Sequence, residues 1–433
     1  MKKLILVLGL GTLPAQATVI TPDQINTANG YTITTPGTYT LQQSVDVTAV
    51  TVPAAITIAA DNVTLNLSYY TLNQRNSAAT TAISVASGYD NVTITNGITT
   101  NWTYAISVSP DTTNVTLSAL YLQYSTCAVL AQGTADMPIT GLTMNTVTFQ
   151  QCQTGALLSY AQAPQLVGIL SQGYLAFYNC TNGSINRCTQ TGAVSLPAVT
   201  GLYMQDCLGW TVQNSSFGSN MGTTWGANGA YLYGTQNTTS GSHAFTNCTF
   251  SGNTGISIAR GLALVQTTSC TITNCVMSGN TAQTGYALGC FINNSAPGTN
   301  TIMSSTAQSN VVTSGDTYSE GIGFLLSTTG VLMSNCASIN NSSHLGTGIG
   351  FFVKQNCYTN TFTMCNAMNN GTHGYYNNDA STTVMQCAAI GQAAQDFAGN
   401  YTPAFITMEC GCIGRDGSLT PTGGFNVSWA TQK

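Results

Sequence analysis

FTNCTFSGN (residues 245–253), ITNCVMSGN (272–280) and MSNCASINN (333–341) are one pattern met three times. An apolar residue is followed three places on by Cys, and the Cys five places on by Asn. VQNSSFGSN (212–220), IMSSTAQSN (302–310) and TMCNAMNN (363–370) repeat the pattern with Ser or Cys at the anchor. The anchors are Ser215, Cys248, Cys275, Ser305, Cys336 and Cys365, with Cys387 continuing the series at spacings of 33, 27, 30, 31, 29 and 22. Asn220, Asn253, Asn280, Asn310, Asn341 and Asn370 hold the fifth place after them, and Gln392 takes it after Cys387. Looser coils precede these: NVTLNLSYYTL (62–72), NVTITNGI (91–98), NVTLSALYL (114–122) and LTMNTVTFQQC (142–152) each carry a short alternating strand after a polar turn. No helical periodicity of useful length accompanies them. A period of this size built from short strands is one coil of a solenoid. The sequence therefore predicts an all-β chain, a right-handed parallel β-helix of stacked three-sided coils. Equivalent side chains then lie ~4.8 Å apart along the axis, and the Asn file forms a ladder in which each amide donates to one neighbour and accepts from the other.

Composition agrees. Only 5% of the 433 residues are charged, against roughly 25% in an average soluble domain. The chain is nonetheless 43% apolar and rich in Val, Ile, Thr and Tyr, which favours ordered β-structure over disorder. MKKLILVLGLGTLPAQA (1–17) has two lysines, an apolar run and a small-x-small ending at Ala15-Gln16-Ala17. It is expected to be a secretory signal peptide cleaved before Thr18, which predicts a secreted or cell-surface protein. No other stretch is long and apolar enough to span a bilayer, so no membrane insertion is expected. Residues 18–433 are expected to form a single β-helix domain, with 18–50 as N-terminal cap and 395–433 as C-terminal cap. Without Lys2 and Lys3 the net charge is −7, and no basic cluster exists. That argues against nucleic acid and anionic membrane surfaces as partners. The leader looks bacterial, so the sequons at Asn62, Asn91 and Asn101 are taken as products of composition rather than glycosylation sites.

The 15 cysteines leave at least one unpaired. Export favours disulfides, but stacked Cβ atoms ~4.8 Å apart exceed the ~3.5–4.5 Å that a disulfide prefers. Cys248 over Cys275, and Cys336 over Cys365 over Cys387, read as stacks of buried thiols, with disulfides as the alternative. A single file offers no tetrahedral site, and no metal or other cofactor is expected.

YTITTPGTYTLQQSV (31–45), ITIAADNVTLNLSYYTLNQ (56–74) and TAISVASGYDNVTITNGI (81–98) resemble the opening coils of right-handed β-helix repeat proteins of the pectate-lyase-like superfamily. That group includes copper-reductase accessory proteins and sugar epimerases. The resemblance implies the fold and raises the expectation of a polysaccharide-active enzyme. It departs from the family where activity would lie. Leu67-Ser68-Tyr69-Tyr70 stands where many relatives carry an Asn-Gly-His turn, and there is no close Asp pair, Gly-His-Gly or Arg-x-Lys. Arg75, Arg187, Arg260, Lys354 and Arg415 are far apart in the chain. No catalytic residue carries over.

Candidate binding residues collect on the edge between the Asn file and the next strand's Gly. The steps there are 9 (Asn220 to Gly229), 2 (Asn253 to Gly255), 5 (Asn280 to Gly285), 11 (Asn310 to Gly321), 7 (Asn341 to Gly348) and 4 (Asn370 to Gly374). Variable loops on one face of a solenoid often bind. Trp225 lies in the first of these, and Asp316 and Glu320 in the longest. His344 and His373 each follow an anchor Cys by eight residues, which predicts that they stack in adjacent coils, beside the acids; the alternative is a duplicated loop sequence with no function. His243 belongs to a different corner. Tyr121 with Tyr124, and Tyr231 with Tyr233, are outward pairs suited to stacking on sugar rings or to filling grooves of the sheet.

The leading reading is a structural, adhesive or glycan-binding protein without catalysis, partnered by a polysaccharide or cell-surface glycan and open to self-association. The alternative is a polysaccharide lyase, hydrolase or epimerase. Ice binding through Thr-x-Thr rows needs a regular Thr column, and the sequence shows only scattered examples.

Overall fold

Asn247, Asn274 and Asn335 share a left-handed backbone, with φ of 55°, 52° and 51°. Each stands one place before an anchor Cys. Gly252 and Gly279 (φ 67° and 63°), Ser309 (52°) and Asn340 (54°) repeat that conformation one place before a ladder Asn. Asn and Gly adopt this region at least strain. The five-residue offset is thus a corner, an anchor, a three-residue strand, a second corner and the Asn. In one coil these are Asn247, Cys248, Thr249–Ser251, Gly252 and Asn253.

The computed structural model describes residues 16–399 and 412–413, except 194–197, 236–239, 295–298, 316–318, 379–381 and 393–394. The expected signal peptide and C-terminal cap lie largely outside these residues. The described chain is almost wholly parallel β-structure; its helix is the single turn Pro22–Ile25. A 15-stranded sheet receives strands in strict chain order, from Tyr31–Ile33 to Gln395–Gly399. A 27-stranded sheet receives the short strands on either side of the first corner, and a four-stranded sheet adds a third side from Thr254–Gly255 to Ser342–Ser343. The chain is a parallel β-helix.

The interior is built in files. Ile56, Ile83, Ile106 and Val129 align in the early coils, and Leu262, Cys290, Phe324 and Phe351 in the later ones. All are buried. The Asn ladder is present as expected: Nδ2 of Asn220, Asn253, Asn280 and Asn310 donates to Oδ1 of the next member at 2.8 Å, and Asn341 to Asn370 at 2.9 Å. Gln190 Nε2 extends it at one end, donating to Asn220 Oδ1 at 2.8 Å. At the other end the Asn370 backbone N–H donates to Gln392 Oε1 at 2.7 Å. Every member from Gln190 to Gln392 is buried.

The anchor file runs beside it, and Cys188 belongs to it too, one coil before Ser215. Its cysteines, Cys188, Cys248, Cys275, Cys336, Cys365 and Cys387, are free thiols and buried, so thiols stack where disulfides were the alternative. Burial holds Cys188 and Cys270 up at about 11, and Cys127 at about 12 with Cys152 adding to the shift. Cys365, hydrogen-bonded between Cys336 and Cys387, is also raised.

A third file is Gly229, Gly261, Gly289, Gly323, Gly350 and Gly374, in the long sheet opposite the ladder. A Cβ on Gly229 would lie 2.7 Å from the Gly261 carbonyl oxygen and 3.1 Å from Asn253 Nδ2; one on Gly289 would lie 2.6 Å from Gly323 and 3.0 Å from Asn310 Nδ2. The ladder fits inside the coil because these positions have no side chain.

Candidate binding face on the long sheet

The residue before each of these glycines, and the residue two places after, fall on the side of the long sheet away from the core. The first column reads Asn228, Arg260, Leu288, Ile322, Ile349 and His373. The second reads Tyr203, Tyr231, Ala263, Phe291, Leu325, Phe352 and Tyr376. Leu288, Ile322, Leu325 and Ile349 form an apolar cluster separate from the main core, with Phe291, Phe352 and Tyr376 packed against it.

Aromatic rings run the length of this strip. Tyr203 and Tyr231 stack with centroids 6.0 Å apart and planes within 1°. Tyr178 meets Tyr203 at 5.5 Å, and Tyr231 meets Tyr233 at 6.4 Å. The Tyr203 hydroxyl donates to Gln205 Oε1 at 2.9 Å; burial, together with the neighbouring tyrosines and Asp206, pushes it up to about 12. It therefore stays a neutral hydrogen-bonding group across the physiological range. Further along, His373 stacks on Tyr376 at 5.2 Å, and Phe352 meets the same ring edge-on at 5.2 Å. Polar groups are interleaved: Asn228 Nδ2 donates to Thr200 Oγ1 at 3.1 Å, and Arg260 Nη1 reaches Asn228 Oδ1 at 3.4 Å.

The residues singled out in the sequence distribute unevenly. Trp225 is 67% exposed in the turn before the strand Gly226–Tyr233. Glu320 opens the strand Glu320–Ser327, pairs with Tyr286 and is half-buried. Burial raises its pKa against the opposing effect of Lys354. Asp316 lies outside the described residues.

The expected stack of His344 on His373 is not formed. His344 is exposed in the turn after Ser342–Ser343, whereas His373 is in the long sheet and pairs with Ile349. The coil after Asn370 drops the short third-side strand. Gly371 N–H donates to the Asn341 carbonyl at 2.9 Å, and Thr372 N–H to the Gly348 carbonyl at 2.7 Å, so the chain enters the long sheet early. Equal distance from the anchor Cys therefore leads to two different corners. His243 is elsewhere, as expected: it is buried, and its Nδ1 accepts the Trp210 backbone N–H at 3.4 Å.

Arg260, Tyr203 and Phe291 were not recognised as members of one face. The signal was present but aligned on the wrong glycines: Gly255, Gly285, Gly321 and Gly348 are not the members that oppose the ladder. Aligning Gly229, Gly261, Gly289, Gly323, Gly350 and Gly374 brings the outward residues into register. The Thr residues were likewise less scattered than they looked. Thr38, Thr64, Thr93, Thr116 and Thr143 form one unbroken outward file on the 27-stranded sheet. Later coils interrupt it with Gln165, Ala244 and Leu332. Among the described residues no three His, Cys, Asp or Glu side chains gather closely enough to hold a metal ion, and no helix is long and apolar enough to cross a membrane.

No family model and no curated protein matches the chain. Solved structures do. The periplasmic alginate epimerase AlgG aligns over 91% of this chain and 83% of its own, at 8% identity and TM-score 0.42. The Azotobacter vinelandii mannuronan C-5 epimerase AlgE6 A-module aligns over 90% and 92%, at 11% identity and TM-score 0.34. The catalytic domain of a GH87 α-1,3-glucanase aligns over 86% and 63%, at 12% identity and TM-score 0.36. On the register of its own strands, the chain is a parallel β-helix.

Proposed function

We propose that this protein is an exported, non-catalytic glycan-binding β-helix, and that it holds a polysaccharide along the outer face of its long sheet. The observation that carries this reading is the aromatic strip around the stacked pair Tyr203–Tyr231, bordered by Asn228 and Arg260. Sugar rings present an apolar face rimmed by hydroxyls. Tyrosine rings supply the matching apolar surface with a polar tip, and amide and hydroxyl groups supply hydrogen bonds. Trp225, exposed in the turn before the strand that carries Asn228 and Tyr231, is proposed to add one more ring to the contact. Export, read from the leader, is part of the same proposal. The test is a glycan array probed with the wild-type chain and Tyr231→Ala. Binding to a polysaccharide that weakens about tenfold in the variant is expected; an empty array, or a variant that binds undiminished, rejects the strip as the site.

A polysaccharide-active enzyme is the second reading, favoured by Glu320. A half-buried carboxyl with a raised pKa suits a general acid. His373, on the same face, is two strands further on, ~10 Å along the axis, too far to share one bond with it directly. Product release from any polymer, lost in Glu320→Gln, would establish this reading over the first.

A further inference from the structure

Arg260 has fewer partners than a shielded cation requires. Its Nε is out of contact with solvent and makes no hydrogen bond. Its Nη1 contact to Asn228 Oδ1, at 3.4 Å, is long for a charge-assisted bond. The guanidinium carbon lies 5.1 Å from the Phe291 ring centroid, a cation–π contact that offsets part of the desolvation. Burial lowers its pKa below the ordinary arginine value. The single salt bridge among the described residues is far away, between Arg75 and Asp46 at 3.4 Å. A buried charge without a counter-charge is strongly unfavourable, and the protein carries this one on its aromatic face rather than in its core.

The neighbourhood is shaped around it. In the outward column Ala263 stands between Tyr231 and Phe291. Its small methyl is fully buried, and the guanidinium carbon of Arg260, from the same strand, lies 5.1 Å from the Phe291 centroid. Asn228 lies one strand before Arg260 and Leu288 one strand after, so one side of the site is polar and the other apolar.

We infer that Arg260 anchors an oxyanion of the bound glycan, a carboxylate or a sulfate, seated between Tyr231 and Phe291. Naming a sugar as the carrier rests on the glycan reading above; the anion itself follows from the arginine. An arriving carboxylate or sulfate meets the part-exposed Arg260 from solvent and supplies the counter-charge that its guanidinium lacks, while the flanking rings cover the sugar to which it is attached. A neutral sugar supplies neither.

Calorimetric titration of the full chain with four polymers tests this: oligogalacturonate, its carboxyl-reduced neutral counterpart, dextran sulfate and unmodified dextran. A charged polymer is expected to bind at least tenfold tighter than its neutral partner, and Arg260→Met to abolish that ratio. Arg260→Lys should keep part of the preference. A ratio seen with galacturonate assigns a carboxylate, and one seen with dextran sulfate a sulfate. Equal binding of charged and neutral polymers, or a preference that survives in Arg260→Met, overturns the anion site and leaves the glycan reading standing. Failure of all four to bind removes both. Thermal melts of Arg260→Met, with Arg260→Gln as the second variant should it fold poorly, separate loss of binding from loss of structure.

Discussion

One continuous sheet carries two different outer faces. In the early coils its outward column is Thr32, Thr57, Ser84 and Ser107; in the later coils the same column is Phe291, Leu325, Phe352 and Tyr376. The strands follow one another in chain order through a single sheet, with one register shift between Thr154 and Ala156 along the way, so the topology is the same in both regions. The early column is what water selects, since short hydroxyls suit a solvated strand. The later column places large apolar side chains on the outer side of the coil, where they pack with Leu288, Ile322 and Ile349 into a cluster of their own. The amide ladders differ in the same direction. Asn62, Asn91 and Asn114 form an early ladder at an exposed corner, with bonds of 3.2 and 3.1 Å; the later ladder from Asn220 to Asn370 is buried, at 2.8–2.9 Å. An amide whose partner is removed in water finds another; one inside does not. The later coils therefore depend on polar bonding that the early coils use only as an ornament of the corner.

The sharpest way to break this contrast is to remove one rung from each ladder. Asn280→Ala would leave the Asn253 Nδ2 and backbone N–H without their shared acceptor and take from Asn310 Oδ1 one of its two donors, the backbone N–H of residue 280 remaining, and should destabilise by about 3–5 kcal/mol. Asn91→Gly, which keeps the left-handed corner, should change stability by no more than about 1 kcal/mol. Denaturant midpoints of the two variants decide the matter, and equal losses would erase the distinction.

Acid should strike the later coils through His243. Burial holds it down at about 4 from an ordinary 6.5, so the folded state keeps it neutral while the unfolded chain takes up a proton. Its contribution is fully present above pH 6.5 and is lost as pH falls towards 4, by roughly 3 kcal/mol. Asn300 and Asn360 accept a backbone N–H from the preceding coil just as His243 does. His243→Asn should therefore fold and flatten the melting profile between pH 6.5 and 4; an unchanged slope would remove the histidine from the account.

Alkali acts on both halves. Cys127 in the early coils, held up at about 12, and Cys188 and Cys270 in the later ones, at about 11, stay protonated while unfolded thiols ionise near 9. Stability is full below about pH 9 and should fall as pH rises towards 11–12, by roughly 1.4 kcal/mol per thiol at pH 10. Cys127→Ala should lessen that slope by one thiol's share. Thiol reagents should leave Cys127, Cys188 and Cys270 untouched in the native protein and label them once it unfolds, as peptide mapping would show. Rapid labelling of those three in the native chain would contradict their burial.

The smallest expected effect concerns the faces themselves. Ser107→Ala on the early column should leave glycan affinity unchanged, whereas Phe291→Ala on the later one should weaken it about fivefold, with melting temperatures within a few degrees of wild type. Affinity on an array or by calorimetry is the readout, and equal affinities would mean that the apolar column serves packing alone.

The period, the anchor series and the Asn file were legible because each repeats at a fixed offset that a corner–strand–corner unit imposes. That was enough for the coil, the ladder and the stacked thiols. The binding face was not legible, because loops of variable length separate the ladder from the long sheet. Counting from Cys336 and Cys365 put His344 and His373 in one file, and a single omitted strand moved them to different corners.

Local chemistry in the chain determined that consecutive turns lie over one another, since φ preference, β-branched strands and an amide that both donates and accepts all act within a few residues. Which side chains meet across the coil was decided only by folding. A glycine earns its place opposite Asn253 because of a distance across the interior, and Arg260 finds itself between Tyr231 and Phe291 because three strands, each some 30 residues apart in the chain, close into one surface.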